Sequence, residues 1–148
     1  MAGSKKDTFE NALLLLLFNN TTIAGIGSGL PAAVTAGSLY VALYTVAPGE
    51  GTAGTECNYV GYARLAVARS GAGWQVAASN ASNAAALTFG ACTSGTNTAV
   101  AFGICKAGTP GVDDAIYYGD ITTPVGGLAI SVGITPEFAQ YDLDINED

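Results

Sequence analysis

Residues 37–69 read GSLYVALYTVAPGEGTAGTECNYVGYARLAVAR, and this stretch decides the fold. Its first part, residues 38–46, alternates between two sets of side chains with the period of two that is typical of a β-strand. Both sets are apolar, which indicates a strand that is covered on both faces. One set is Leu39, Val41 and Leu43, and the other is Tyr40, Ala42 and Tyr44.

Similar segments continue through the rest of the chain, and clusters of Gly, Pro, Asn and Asp separate most of them. Short strands with no helical pattern between them favour a sandwich or barrel. We therefore predict an all-β protein, an antiparallel and jelly-roll-like β-sandwich of about eight strands over residues 38–146, with one N-terminal helix. The predicted strands are residues 38–46, 61–69, 73–79, 84–90, 98–105, 115–121, 128–134 and 138–146.

The helix is predicted over residues 7–19, and a connector rich in Gly, Ala and Thr over residues 20–37. Asp7 followed by Glu10 resembles an N-cap residue with its reciprocal partner. Leucines lie on every side of this helix, so we expect it to be buried all round. The cover is either the rest of its own domain or a neighbouring subunit.

The composition excludes several functions. Five basic residues against twelve acidic ones give a net charge of −7, which does not suit a protein that binds nucleic acid. His is absent, which removes the commonest general base and metal ligand. The longest apolar run, residues 12–18, is too short to span a bilayer, so we predict no membrane partner. A chain of 148 residues favours a single domain, residues 1–148.

Scarce charge indicates either a surface rich in Ala, Thr, Ser and Asn or a surface that other subunits cover, and we favour the second. Charged residues make up 11% of the chain, whereas about 25% is usual in soluble domains. Interface cores are depleted of charge and enriched in Tyr, of which the chain has 7. The predicted interface residues are Leu13, Leu16, Leu17, Tyr40, Tyr44 and Tyr59.

No motif indicates chemistry. Cys57, Cys92 and Cys105 show no CxxC spacing, which argues against zinc, and a Cys92–Cys105 bridge across a hairpin stays open. Residues 142–148 begin like a calcium loop but lack its Gly and its final Glu, which indicates a solvated acidic face. A cation that bridges acidic residues between subunits stays an alternative. We predict no catalytic, cofactor-binding or metal-binding residue, no cofactor, and no enzymatic activity.

Several short stretches resemble a family of small tailed-bacteriophage virion proteins, whose members are often labelled tail-fibre proteins. The stretches are residues 10–14 (ENALL), 39–48 (LYVALYTVAP), 54–56 (GTE), 61–64 (GYAR), 100–104 (VAFGI) and 117–119 (YYG). The similarity covers residues 10–146, and the shared motifs are structural and not catalytic.

This resemblance implies a capsid cement, or decoration, protein with a jelly-roll fold. Such a protein binds the major capsid protein at the capsid surface of the virion, stabilises the head shell, and self-associates as a homodimer or homotrimer. It is made in the host cytoplasm. The alternative is a tail-fibre or receptor-binding component of the tail.

Overall fold

The computed structural model describes residues 5–26, 32–33 and 35–147. These residues form one helix and twelve strands. The elements are α1 (Asp7–Asn19), β1 (Ser38–Val46), β2 (Thr55–Glu56), β3 (Leu65–Ala68), β4 (Trp74–Ala77), β5 (Asn80–Asn83), β6 (Leu87–Thr88), β7 (Asn97–Ala99), β8 (Ala101–Cys105), β9 (Ala115–Asp120), β10 (Leu128–Ile130), β11 (Glu137–Phe138) and β12 (Ile145–Asn146). The predicted all-β, sandwich-like class with antiparallel sheets and one N-terminal helix is confirmed. Residues 27–31 and 34 of the predicted connector lie outside the described residues.

The chain forms two compact units, and each is assembled from separate stretches of sequence. Unit 1 comprises the described residues of Met1–Ser38, Val67–Ala86 and Phe138–Asp148. Unit 2 comprises Leu39–Ala66 and Leu87–Glu137. The single-domain interpretation of residues 1–148 remains a prediction.

Unit 1 is built on the packing of α1 against a small antiparallel sheet. The sheet has the order β12-β5-β4. The rings of Phe18 and Trp74 meet edge to face at 4.8 Å, and both side chains are fully buried. Leu14, one turn before Phe18 on the same side of the helix, is also fully buried. Burial of these large side chains is the main favourable term in the stability of this unit.

The two ends of α1 differ in how well the sequence predicted them. The predicted cap at Asp7 is wrong, because the N-cap residue is Lys6, which makes no side-chain capping bond. Asp7 and Glu10 lie in the first turn instead, where carboxylates favour the positive end of the helix dipole. The predicted end at Asn19 is confirmed, and Asn20 follows in the left-handed conformation with its N–H bonded to the Leu15 carbonyl.

Unit 2 is built on a five-stranded sheet of order β2-β1-β8-β9, in which β3 also pairs with β1. The central pair is antiparallel and places Val41 opposite Ile104 and Tyr44 opposite Ala101. As the alternation predicted, β1 is covered on both faces, because Val41 and Ala42 are both fully buried. The edge of this sheet beyond β8 is β9.

Several predicted strands are shorter or broken. Residues 138–146 contain only the end of β11 and all of β12, because Tyr141 adopts φ 67° and interrupts the extended backbone. The segment 73–79 turns back at Ala78 and Ser79, whose φ values of 52° and 60° are those of a tight hairpin turn. The polar segment NASN then forms β5, which pairs with β4.

We expect Leu14→Ala to lower the free energy of unfolding by about 2–5 kcal/mol, since it leaves a cavity beneath the helix. Leu16→Ala is the matched control, because Leu16 is only half-buried and its truncation removes less contact. Urea denaturation followed by circular dichroism measures both values. Equal losses for the two variants would contradict this packing of α1.

Candidate interaction surface

The outer face of the unit 2 sheet, on which Tyr40 and Tyr44 lie, is largely covered by the chain itself. Tyr44 is 3% exposed and packs with Ala42, Ala101 and Cys105. A Cβ atom at Gly103 would lie 2.8 Å from its ring, so the absence of a side chain at that position makes room for the tyrosine. Tyr40 is half-buried against the same cluster. Of this predicted pair, only Tyr40 retains surface for a partner.

Tyr59 is also a core residue of unit 2, with 3% of its surface exposed. Its hydroxyl donates to the Gly90 carbonyl at 3.0 Å, and its ring meets that of Tyr62 edge to face at 5.5 Å. The chain therefore provides both the apolar cover and the hydrogen-bond partner that a buried tyrosine requires.

The three leucines predicted to form an interface lie in unit 1. Leu13, Leu16 and Leu17 are all half-buried, which leaves part of each side chain available. Their contact with another subunit remains a prediction. Sequence reasoning missed Arg69, whose guanidinium donates to the carbonyls of Leu16 at 2.7 Å and Leu17 at 2.6 Å. The guanidinium is a hydrogen-bond donor to carbonyl groups at the C-terminal end of α1, and its positive charge interacts favourably with the negative end of the helix dipole.

Unit 2 contains a buried charge network that the sequence did not reveal. Arg64 donates to Glu56 through Nε and Nη2, both at 3.0 Å, and to Asp114 through Nη1 at 2.6 Å. The Tyr62 hydroxyl donates to Glu56 at 2.6 Å and accepts the Leu43 N–H at 3.0 Å. Burial alone would lower the pKa of Arg64, but the bonds to the two carboxylates raise it above its ordinary value. These charges satisfy one another and hold loops to the sheet.

The cysteines are free and buried, so the bridge that sequence left open does not form. In the register of the sheet, Cys105 lies opposite Tyr40 of β1 and Ala115 of β9. Its thiol lies 3.5 Å from the Tyr44 hydroxyl. The Cys92 thiol lies 3.5 Å from the carbonyl oxygens of Ser94 and Gly95.

We expect the free energy of unfolding to fall as pH rises above 9. Burial raises the pKa of the Cys57 thiol from 9.0 to about 12, and that of Cys105 to about 11. The folded chain keeps these protons where the unfolded chain loses them, so their contribution is full below pH 9 and lost towards pH 12. Urea midpoints measured just below pH 9 and near pH 11 should differ, and Cys57→Ala should reduce the difference. Identical midpoints would contradict these pKa shifts.

The acidic C-terminal stretch serves local structure. Asp142 accepts the N–H of Ala139 at 2.7 Å, and Asp144 accepts the side-chain amide of Asn80. Within residues 5–26, 32–33 and 35–147, no three Cys, Asp or Glu residues are grouped as metal ligands would be. The expectation that no metal is needed stays a prediction. In the same part of the chain, no helix combines the length and apolarity required to cross a membrane.

The outer end of the sheet carries exposed apolar surface that sequence reasoning did not identify. Ile116 and Tyr118 of β9 are 36% and 47% exposed. They border a groove of about 550 Å³, here called the β9 groove, which the strand shares with the loop at residues 48–52. Glu50 and Asp113 give the groove two exposed carboxylates. Among the predicted interface residues none lines this groove.

These features define an all-β protein in which the buried Arg64 is paired with two carboxylates and two exposed apolar side chains, Ile116 and Tyr118, lie on an edge strand. The family model described as Podophage GP4 fiber I protein gp80 matches residues 4–145. The chain therefore belongs to this family, and it is a component of a tailed-phage virion. A search of curated proteins finds no match to the chain.

The family match confirms the resemblance seen in the sequence, and the structure explains its motifs. GTE supplies Glu56 and GYAR supplies Arg64, so these two stretches contribute most of the buried charge network. Gly54 of GTE fits where a Cβ atom would lie 2.6 Å from the Val46 carbonyl oxygen. Five of the six shared stretches lie in unit 2, and residues 10–14 lie in α1 of unit 1.

Proposed function

We propose that the chain is a capsid cement subunit, which binds across neighbouring major capsid protein subunits and stabilises the head shell. The observation that carries this proposal is the β9 groove, in which the exposed Ile116 and Tyr118 lie beside the carboxylates of Glu50 and Asp113 at the edge of the sheet. Exposed apolar and aromatic side chains beside polar groups are a combination that protein–protein interfaces share. Binding of this kind requires neither a catalytic residue nor a cofactor, in keeping with the lack of such motifs.

The charge distribution supports a protein partner. Arg64 is fully buried and bonded to Glu56 and Asp114, so it is not presented to a ligand. With few charges left on the surface, most of the attraction to a capsid would come from apolar contact and hydrogen bonds, with a smaller contribution from the carboxylates at the β9 groove. We expect binding to survive moderate salt for that reason.

Self-association is the second part of the proposal. An icosahedral shell offers two-fold and three-fold positions, so a subunit on it commonly repeats its contacts as a dimer or trimer. The half-buried Leu13, Leu16, Leu17 and Tyr40 are the predicted residues that keep surface for such contacts. Tyr44 and Tyr59 are not carried forward, because the chain itself covers them.

A second candidate is a fibre component, which the family description favours because its printed name is that of a fibre protein. In the described residues the longest helix, α1, has 13 residues and spans about 20 Å, and the longest strand, β1, has nine residues and spans about 30 Å. Each of the two units is compact in itself. On this alternative the chain would be an attachment domain of a fibre.

Antibody labelling of virions, observed by electron microscopy, separates the two candidates. Gold particles bound to an antibody against this chain should surround the head. Labels confined to the tail or its fibres would overturn the cement assignment and favour the fibre component.

A further inference from the structure

We propose that the free edge of β9 receives an extended segment of another virion protein as an added strand, and that a Lys or Arg side chain of this segment enters the β9 groove. This inference rests on the proposed function and specifies the partner's chemistry.

The backbone of β9 offers hydrogen-bonding groups on its outer side. Ile121 donates to the Val100 carbonyl at 2.8 Å, so the N–H of Ile121 is directed towards β8, while the Val100 N–H bonds to the Tyr44 carbonyl. In an antiparallel ladder, residues directed towards the neighbouring strand alternate with residues directed away from it. The register places Gly119, two residues before Ile121, opposite Phe102, so Gly119 is also directed towards β8. Tyr118 and Asp120 therefore direct their N–H and C=O groups away from β8. Among the described strands, β8 is the only neighbour of β9.

The edge lacks two of the features that usually protect an exposed strand, Lys and Pro, although the β8–β9 register shifts between Ile104 and Cys105 and Asp120 ends the strand. Natural edges are shielded by Lys, by Pro, or by a covering segment. β9 has the sequence AIYYGD, which contains neither Lys nor Pro and presents Ile116 and Tyr118 to solvent. Main-chain bonds along such an edge provide affinity, and the alternate side chains provide specificity.

The charge around this edge favours a basic segment over a second copy of the chain. Glu50 and Asp113 are exposed beside the strand and Asp120 is exposed at its end, and within the described residues none of them pairs with a Lys or Arg. Unit 2 has six acidic residues and only two basic ones, Arg64 and Lys106, of which Arg64 is buried. Two copies joined at β9 would bring like charges together, whereas a basic segment is complementary.

The first test measures binding of purified variants to phage particles that lack the chain. Tyr118→Pro removes the outward N–H while leaving the β8 ladder intact, and Pro is tolerated at such edge positions. We expect at least about tenfold weaker binding. Tyr118→Thr keeps the N–H and should lose less than about threefold. Equal losses for the two variants would overturn strand addition, and melting temperatures check that both are folded.

A matched pair of charge reversals tests the partner's chemistry. Asp113→Lys changes a groove residue, and Asp144→Lys makes the same change at an exposed position in unit 1. We expect about tenfold weaker binding for Asp113→Lys and no change for Asp144→Lys. Equal binding of the two variants would overturn the basic segment.

Hydrogen exchange of the wild-type chain keeps the test independent of folding in the variants. In particles, the amides of Tyr118 and Asp120 should exchange more slowly than in the free chain. If the chain binds particles but these amides stay unprotected, strand addition is wrong while the proposed function stands. Protection that grows with concentration in the free chain would show a second copy at β9 and overturn the proposal. A chain that binds no particles would overturn both.

Discussion

Arg64→Leu should lower the free energy of unfolding by about 3–5 kcal/mol, because it leaves two buried carboxylates without their cation. The side chains of Glu56 and Asp114 are 6% and 7% exposed, so water does not replace the guanidinium. Arg64 also donates to the carbonyls of Ala107 and Val112, both at 2.8 Å. Its loss would therefore release the loop before β9 as well as the charge network.

Two controls make this test specific. Lys106→Leu removes an exposed cation next in sequence to β8 and should change stability little. The triple variant Glu56→Gln, Arg64→Met, Asp114→Asn removes all the charges and should be more stable than Arg64→Leu alone. Guanidinium denaturation gives the values. A loss below about 1 kcal/mol for Arg64→Leu would show that the carboxylates are solvated and the network is wrong.

Gly90→Ala should be comparably damaging, with a loss of about 3 kcal/mol or more from overpacking against backbone. A Cβ atom at Gly90 would overlap the carbonyl oxygen of Gly61, and one at Gly61 would overlap that of Ala91. Gly61 also has φ 107°, which side chains rarely adopt. The bonds between Val60 and the 93–94 segment, both 2.9 Å, keep the two stretches from separating.

Gly71→Ala is the matched control, because a Cβ atom there meets no atom within 4 Å. Thermal denaturation of both variants should show a large decrease for Gly90→Ala and almost none for Gly71→Ala. A Gly90→Ala chain that melts like the wild type would contradict the close approach of the two segments.

The sequence predicted elements whose hydrophobic pattern is strong. β1 has the predicted bounds of residues 38–46, because its alternating apolar side chains leave no other interpretation. The helix was equally clear from its leucines and its terminal asparagines. By contrast, β5 is polar, and Asn83 is buried there because its amide bonds the chain at Ala85, Ala139 and Leu143. The hydrophobic periodicity of the sequence gives no information about hydrogen bonds between residues that are far apart in the chain.

The candidate surface was harder to predict for a related reason. Tyr44 was predicted to lie at an interface, but the chain itself buries it. The ring occupies the space beside Gly103, and this space arises from the pairing of β1 with β8. Arg64 and Asp114 are 50 residues apart, and the groove at Tyr118 joins two loops that are distant in sequence. One observation could have indicated the edge, namely the alternation of Ile116 and Tyr118 without a protecting Lys or Pro.

Sedimentation of the purified chain with capsid shells that lack it tests the central claim most directly. The cement proposal predicts saturable co-sedimentation at a fixed ratio of chain to major capsid protein, and this binding should persist at moderate salt. A chain that stays in the supernatant with shells, and sediments instead with isolated tails, would contradict it.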